Sequence, residues 1–166
     1  EPNPAAVSWL RETISLNGYA DRTVIIPKAL SDIDGEALLF CPDGEPKNAL
    51  LVPVRNHPGG TTIEVCTTSL DSIAENCGKV DLIKIDAEGA EVAIVRGMQK
   101  LIRRDRPRIV LEFNAARYPD PEAFLDSLTD IYASARELTL DGRLQALDRA
   151  SVTDKTTLLD RILFFE

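Results

Sequence analysis

Hydrophobic residues recur along this chain with two different periods, and the two periods alternate from one end to the other. Apolar spacings of three and four residues predict four helices, and short apolar runs between polar residues predict strands. The predicted helices cover Pro4–Asn17, Ser69–Asn76, Glu88–Arg104 and Pro121–Ala133. The predicted strands cover Thr23–Ala29, Glu36–Cys41, Ala49–Val54, Thr61–Cys66, Val80–Asp86, Arg108–Phe113, Ala135–Leu140, Arg143–Leu147 and Ile162–Glu166. This alternation favours a layered α/β domain around a parallel sheet.

Length and charge narrow the class of protein. The 166 residues suit one domain, residues 1–166. The formal net charge of −8 gives no basic surface for nucleic acid, so we expect no such partner. We also expect no membrane partner, because no apolar run approaches the ~18 residues of a bilayer span. An odd cysteine count without a secretory leader favours a cytoplasmic location.

The segment richest in chemistry is KIDAEGAE, Lys84 to Glu91, which ends a predicted strand and opens a helix. Ligands of parallel sheets bind beyond the carboxyl ends of the strands, so Asp86 is expected to face a ligand. Glu88 and Glu91 lie three residues apart, which on a helix places them on one face. The candidate general bases are Asp86 and Glu88 first, then Glu91, Glu112 and His57. The structural alternative is that these acids only stabilise a helix N-terminus.

Other residues suggest positions for a bound nucleoside and for a substrate. Glu1 opens EPNP, and an acidic residue after a strand can accept hydrogen bonds from both ribose hydroxyls. Asp32 follows the strand in ALSD and could accept from an adenine amino group, or form an Asx turn. His57, the only histidine, lies in an HPGG loop that could close over a substrate. Three carboxylates near one strand end could instead hold Mg²⁺, although we assign no metal.

Three segments in order resemble the FkbM family of methyltransferases. They are EPNPAAVSWLRETISLNG, KALSDIDGEALL and TTSLDSIAENCGKVDLIKIDAEGAEVAIVRGMQKLIRRDRPRIVLEF, which span roughly the first two-thirds of the chain. The most specific part is VDLIKIDAEGAE, followed about twenty residues later by LEF.

The resemblance implies a Rossmann-like class I methyltransferase fold and S-adenosylmethionine as methyl donor. It implies O-methylation of a small-molecule or sugar hydroxyl. Glu1 would bind the ribose hydroxyls, Pro2 and Asn3 would also belong to the cofactor site, and Asp86 would line the sulfonium and acceptor side. Leu30, Ser31 and Asp32 would border the adenine.

The chain departs from the family at its start, where the glycine-rich loop, strand 1 and most of strand 2 are absent from these residues. The family sheet order is 3-2-1-4-5-7-6, so we expect an N-terminally truncated sheet. We predict that Thr23–Ala29 pairs abnormally beside Val80–Asp86 or recruits another chain, and that exposed edges favour self-association. These residues alone are predicted to bind the donor poorly or not at all.

Two other functions stay open. One is a non-catalytic binding or scaffold module, a Rossmann-like remnant without its cofactor loop. The other is a nicotinamide-dependent oxidoreductase, which also places an acid on ribose, although VDLIKIDAEGAE does not resemble that class.

Overall fold

The computed structural model describes residues 1–44, 49–53 and 58–166, and within these ranges its strands form two separate mixed sheets. The α-helices are α1 (Pro4–Leu16), α2 (Leu70–Ala74), α3 (Glu91–Arg96), α4 (Gln99–Asp105), α5 (Pro121–Thr129) and α6 (Arg149–Val152). The strands are β1 (Ala29–Leu30), β2 (Gly35–Pro42), β3 (Leu50–Val52), β4 (Gly60–Thr68), β5 (Leu82–Ile85), β6 (Arg108–Phe113), β7 (Ala135–Leu138), β8 (Leu144–Ala146) and β9 (Arg161–Phe165). Short 3₁₀ turns occupy Ala20–Arg22 and Ala115–Arg117.

The first sheet has the strand order β1-β4-β2-β3. Strand β2 runs antiparallel to both β4 and β3, so the hairpin predicted from Glu36–Cys41 and Ala49–Val54 is confirmed over its described residues. Val54 lies outside them. Strand β1 runs parallel to the end of β4, with Ala29 beside Thr67.

The strand predicted at Thr23–Ala29 is largely wrong. Residues 23–28 have no strand pairing, and only Ala29 and Leu30 form β1. Pro27 lacks the N–H that a strand would donate, which limits pairing before β1. Because β1 pairs with β4, the predicted abnormal pairing beside Val80–Asp86 is also wrong.

The second sheet has the order β5-β6-β9-β7-β8. Strands β5 and β6 are parallel, whereas β9 is antiparallel to both β6 and β7, so the sheet is mixed rather than parallel as expected. The first four strands follow the order 4-5-7-6 that the resemblance implies. Helices α3 to α5 cover this sheet through a core that includes Met98, Ile102, Ile109, Leu111, Leu125 and Phe165, each 0% exposed.

The single helix predicted over Glu88–Arg104 is two helices, α3 and α4, separated at Gly97–Met98. The Asp71 carboxylate accepts the Lys100 and Leu101 N–H groups at 3.1 and 2.8 Å, and this caps α4 as a new helix. The Asp71 N–H donates to the Gly97 carbonyl at 2.9 Å. Tertiary contacts from α2 therefore break a pattern that is continuous in sequence.

Among the described residues, no helix combines the length and the apolar character that crossing a membrane requires.

Candidate functional site

A cavity of about 770 Å³ separates the edge strands β1 and β5 of the two sheets. This volume lies within the range of small-molecule sites. Its walls are mostly apolar, and charged side chains lie among them. The apolar lining includes Leu30, Leu39, Leu51, Ile83, Ile85 and Ile94, and the charged residues are Glu1, Lys28, Lys84, Asp86 and Glu88. The cavity is thus suited to a ligand with one apolar part and one polar or charged part.

The cavity brings together five of the residues proposed from sequence. Glu1 and Pro2 reach it from the segment before α1, Leu30 from the end of β1, and Asp86 and Glu88 from the turn after β5. These positions are up to 87 residues apart in sequence, from Glu1 to Glu88. Their convergence places acidic groups at two positions around one cavity.

Asn3 supports the cavity rather than lining it. Its side chain is buried and accepts the Ala5 N–H at 3.0 Å, which caps α1. Its own N–H donates to Glu1 Oε1 at 2.7 Å. This bond orients the Glu1 carboxylate, which a ribose-binding role would need.

Ser31 and Asp32 follow Leu30 but do not line the cavity. The Ser31 N–H donates to the Thr68 carbonyl at 2.9 Å, which continues the β1–β4 pairing. The Ser31 hydroxyl donates to Asp32 Oδ1 at 3.1 Å. The turn therefore lies beyond the end of β1, next to the cavity.

The turn after β5 carries Asp86 and Glu88, two of the carboxylates that line the cavity. Asp86 pairs with Lys84 at 2.5 Å, and both side chains are substantially exposed. Glu88 has a left-handed backbone (φ 50°) and is followed by Gly89 at φ 102°. These angles end the extended chain and delay the helix, which starts at Glu91 and not at Glu88 as predicted.

Arg117 connects this turn to the ends of two other strands. Its guanidinium contacts Glu88 at 3.1 Å, Glu112 at 2.9 Å and Asp160 at 3.2 Å. Burial raises the pKa of Glu112, the Arg117 hydrogen bond opposes this, and the charges of Asp86 and Asp160 raise the pKa further. One cation thus balances several carboxylates beside the cavity.

Carboxylate oxygens of Asp86, Glu88 and Glu112 lie within 4.8 Å of one another, so they form a set that could hold a metal ion. Arg117 already pairs with Glu88 and Glu112, which supplies positive charge to the same group. Lys84 supplies a further positive charge through its ion pair with Asp86.

Glu91 does not reach the cavity. It is 0% exposed, and its carboxylate accepts hydrogen bonds from the Ala87 and Gly89 N–H groups and from the Tyr118 hydroxyl. It therefore lies apart from Asp86 and Glu88, contrary to the shared helix face expected from spacing. His57 lies outside the described residues.

Sequence reasoning missed Arg117 and Trp9. Arg117 lies four residues beyond the end of β6, so the rule that functional residues follow strand ends could have indicated it. Trp9 lines the cavity from α1 and is 54% exposed.

The fold and the cavity define an α/β protein with a ligand-sized, partly acidic site where strands end. The family model described as the methyltransferase FkbM domain matches residues 1–137. The chain belongs to this family.

One solved structure supports the fold. It is the crystal structure of methyltransferase FkbM from Methylobacillus flagellatus KT, to which this chain is similar with a TM-score of 0.56 and 16% sequence identity. The likeness covers 100% of this chain and 35% of that chain, so this chain spans about a third of that protein's length. A comparison with curated proteins finds no match.

Proposed function

We propose that the cavity between the two sheets is the donor and acceptor site of an S-adenosylmethionine-dependent O-methyltransferase. The acceptor is a small-molecule or sugar hydroxyl. The observation that carries the proposal is that Glu1, Leu30, Asp86 and Glu88, from three distant segments, line the same cavity. Membership of the FkbM family supports methyl transfer as the reaction.

The residues around the cavity fit the chemical groups of the donor. The Glu1 carboxylate can accept hydrogen bonds from ribose hydroxyls, and the apolar surface of Leu30 suits an adenine ring. Asp86 offers a negative charge to a sulfonium. When bound, S-adenosylmethionine supplies a methyl group on a sulfonium. No glycine-rich loop lies among these residues, so we expect the affinity for the donor to be weak.

We assign proton acceptance to Asp86 and orientation of the acceptor to Glu88. The Lys84–Asp86 pair is largely exposed and therefore weak, so Asp86 can exchange its partner for an acceptor hydroxyl. Glu88 is held by the partly buried Arg117 and is better suited to fix geometry. With the donor bound, Asp86 would take the hydroxyl proton of an acceptor that the cavity holds in position for attack on the methyl group.

Nuclear magnetic resonance of ¹⁵N-labelled protein tests the proposal, because it detects weak binding residue by residue. We expect S-adenosylmethionine and S-adenosylhomocysteine to shift the amide signals of Leu30 and of the turn from Asp86 to Gly89. The Asp86→Asn variant should lose several-fold in affinity for S-adenosylmethionine, which is a cation, and little for the uncharged thioether product.

Asp81→Asn is the matched control, because Asp81 precedes β5 whereas Asp86 follows it, and Asp81 pairs with an exposed lysine in the same way. It should bind both nucleosides normally. Saturable shifts with NADH but not with S-adenosylhomocysteine would favour the nicotinamide oxidoreductase instead. No shift with either ligand at millimolar concentration would overturn the donor site and favour a non-catalytic module.

A further inference from the structure

The buried carboxylate of Glu91 does not line the cavity, yet it contacts both the turn that carries Glu88 and the segment that carries Arg117. Burying a charge is costly unless hydrogen bonds replace its water shell. Glu91 is 0% exposed and has three such partners: the N–H groups of Ala87 and Gly89, and the Tyr118 hydroxyl. A carboxylate with this many partners is well suited to hold them in place.

One carboxylate oxygen holds the turn around Glu88. Oε1 of Glu91 accepts the Ala87 N–H at 2.8 Å and the Gly89 N–H at 3.3 Å, so the two bonds flank Glu88 on both sides. Glu88 has φ 50°, a left-handed conformation that is energetically costly for a non-glycine residue. The two hydrogen bonds offset this cost and fix the direction in which the Glu88 side chain projects from the turn.

The other oxygen reaches the segment that carries Arg117. The Tyr118 hydroxyl donates to Glu91 Oε2 at 3.2 Å. Tyr118 itself is only 2% exposed and packs edge-on against Phe113 and Phe124, with ring centroids 5.1 and 4.9 Å away. The tyrosine therefore gives Glu91 a rigid anchor next to Arg117.

We propose that Glu91 is a positioning residue that aligns Glu88 with Arg117 through the Ala87–Gly89 turn and Tyr118. It does not itself contact a ligand of the cavity. Its catalytic importance rests on the proposed function, whereas its control of the Glu88–Arg117 pair does not. The Arg117 side chain is a suitable probe of this role. Its ion pairs are with Glu88, Glu112 and Asp160 rather than with Glu91, so an effect of Glu91 on Arg117 must pass through the residues between them.

Two variants of Glu91 separate positioning from packing. Glu91→Leu keeps the approximate volume but removes both acceptors, whereas Glu91→Gln keeps an oxygen for the two N–H groups and a polar group for Tyr118. We expect amide hydrogen exchange at Ala87 and Gly89 to be at least tenfold faster in Glu91→Leu. The Arg117 Nε–H signal should shift or broaden in the same variant. Glu91→Gln should restore both signals.

Core amides at Ile109 and Leu111 provide the internal control for global stability. Unchanged exchange at Ala87 and Gly89 in a folded Glu91→Leu protein, or an unchanged Arg117 signal, would overturn the proposal. If Glu91→Leu does not fold, Tyr118→Phe removes one of the three bonds and should give a smaller change in the same direction; an unchanged Arg117 signal there would count against the proposal. Failure of S-adenosylhomocysteine to bind any variant would contradict the proposed function alone.

Discussion

Gly97 lies where the break between α3 and α4 meets the turn after β1. Its φ of −78° is open to any residue, so its backbone conformation does not require glycine. The requirement is space: a Cβ at this position would lie 2.1 Å from the Ser31 carbonyl oxygen and 3.0 Å from Asp32 Cα. These are backbone atoms, which cannot move aside as a flexible side chain can.

The Gly97→Ala variant should therefore lose about 1–3 kcal/mol of unfolding free energy, as overpacked sites do. Urea unfolding measures the loss, and amide shifts should be largest at Ser31 and Asp32. Gly78→Ala is the control, because a Cβ at Gly78 meets no atom within 4 Å. Equal stability of the two variants would show that the Ser31 backbone can shift to make room for the added Cβ at little cost in free energy.

Arg117 acts at the scale of elements, because it joins the turn after β5, the end of β6 and the segment before β9. Arg117→Met keeps much of the side chain but leaves Glu88, Glu112 and Asp160 without this cation. We expect a loss of about 1–3 kcal/mol at pH 7. The pKa of Glu112, already raised, should rise further, and ¹³C titration of its carboxyl group measures this.

The pH dependence of this variant has a definite sign. A carboxyl whose pKa is higher in the folded state binds its proton more tightly there, so its contribution to stability falls as pH rises past the unfolded value of about 4.3. The stability lost in Arg117→Met should therefore be larger at pH 7 than at pH 4. Arg143→Met, which breaks an exposed pair with Asp141, should show little loss at either pH. A loss independent of pH would point to packing instead.

Elements whose sequence signals are local were predicted well. Helix α1 was predicted as Pro4–Asn17 and spans Pro4–Leu16, because Asn3 caps it and Pro4 suits the first position. Strand β6 has the predicted bounds Arg108–Phe113, a nearly continuous apolar run. The break at Gly97 could not be predicted, since it depends on hydrogen bonds from Asp71, which lies 26 residues earlier in the chain.

The candidate site was predictable only in part for the same reason. Asp86 follows a strand whose pattern is clear, and it lines the cavity beyond the end of that strand. The role of Glu91 was not accessible, because its spacing from Glu88 assumes a helix, whereas the left-handed turn at Glu88 rotates the two carboxylates apart. The role of Arg117 could not be predicted, because the three carboxylates that it contacts come together only in the folded chain.

At the scale of the whole molecule, the two sheets share no strand pairing among the described residues, but hydrogen bonds connect their surrounding elements. Helix α2 joins them, since Asp71 caps α4 while the Ser72 hydroxyl donates at 2.8 Å to Asp34, in the loop after β1. Helix α2 thus connects the loop after β1 to helix α4 of the second sheet. A ligand that contacts both β1 and β5 in the cavity would stabilise the whole chain, because it binds only the folded arrangement.

Both β1 and β5 are edge strands with unpaired backbone groups, which favour pairing with another chain. We propose that the protein self-associates through the β5 edge, where Leu82 is 57% exposed, in competition with a ligand of the cavity that this edge lines. The net charge of −8 opposes association at low ionic strength. Sedimentation velocity should therefore show tighter association at 0.5 M than at 0.05 M salt, by about tenfold in the dissociation constant, since salt screens the repulsion.

Leu82→Lys should weaken this association, because it adds a second lysine beside Lys84 on the same edge, and edge lysines oppose strand pairing. The matched control is Leu16→Lys, which places the same charge on a residue that is 79% exposed at the end of α1 rather than on a strand. Both variants change the net charge equally, so a difference between them isolates the edge from the overall charge. If both variants weaken association equally, the effect comes from α1 or from overall charge rather than from the β5 edge. A protein that is monomeric at every salt concentration would contradict the proposal.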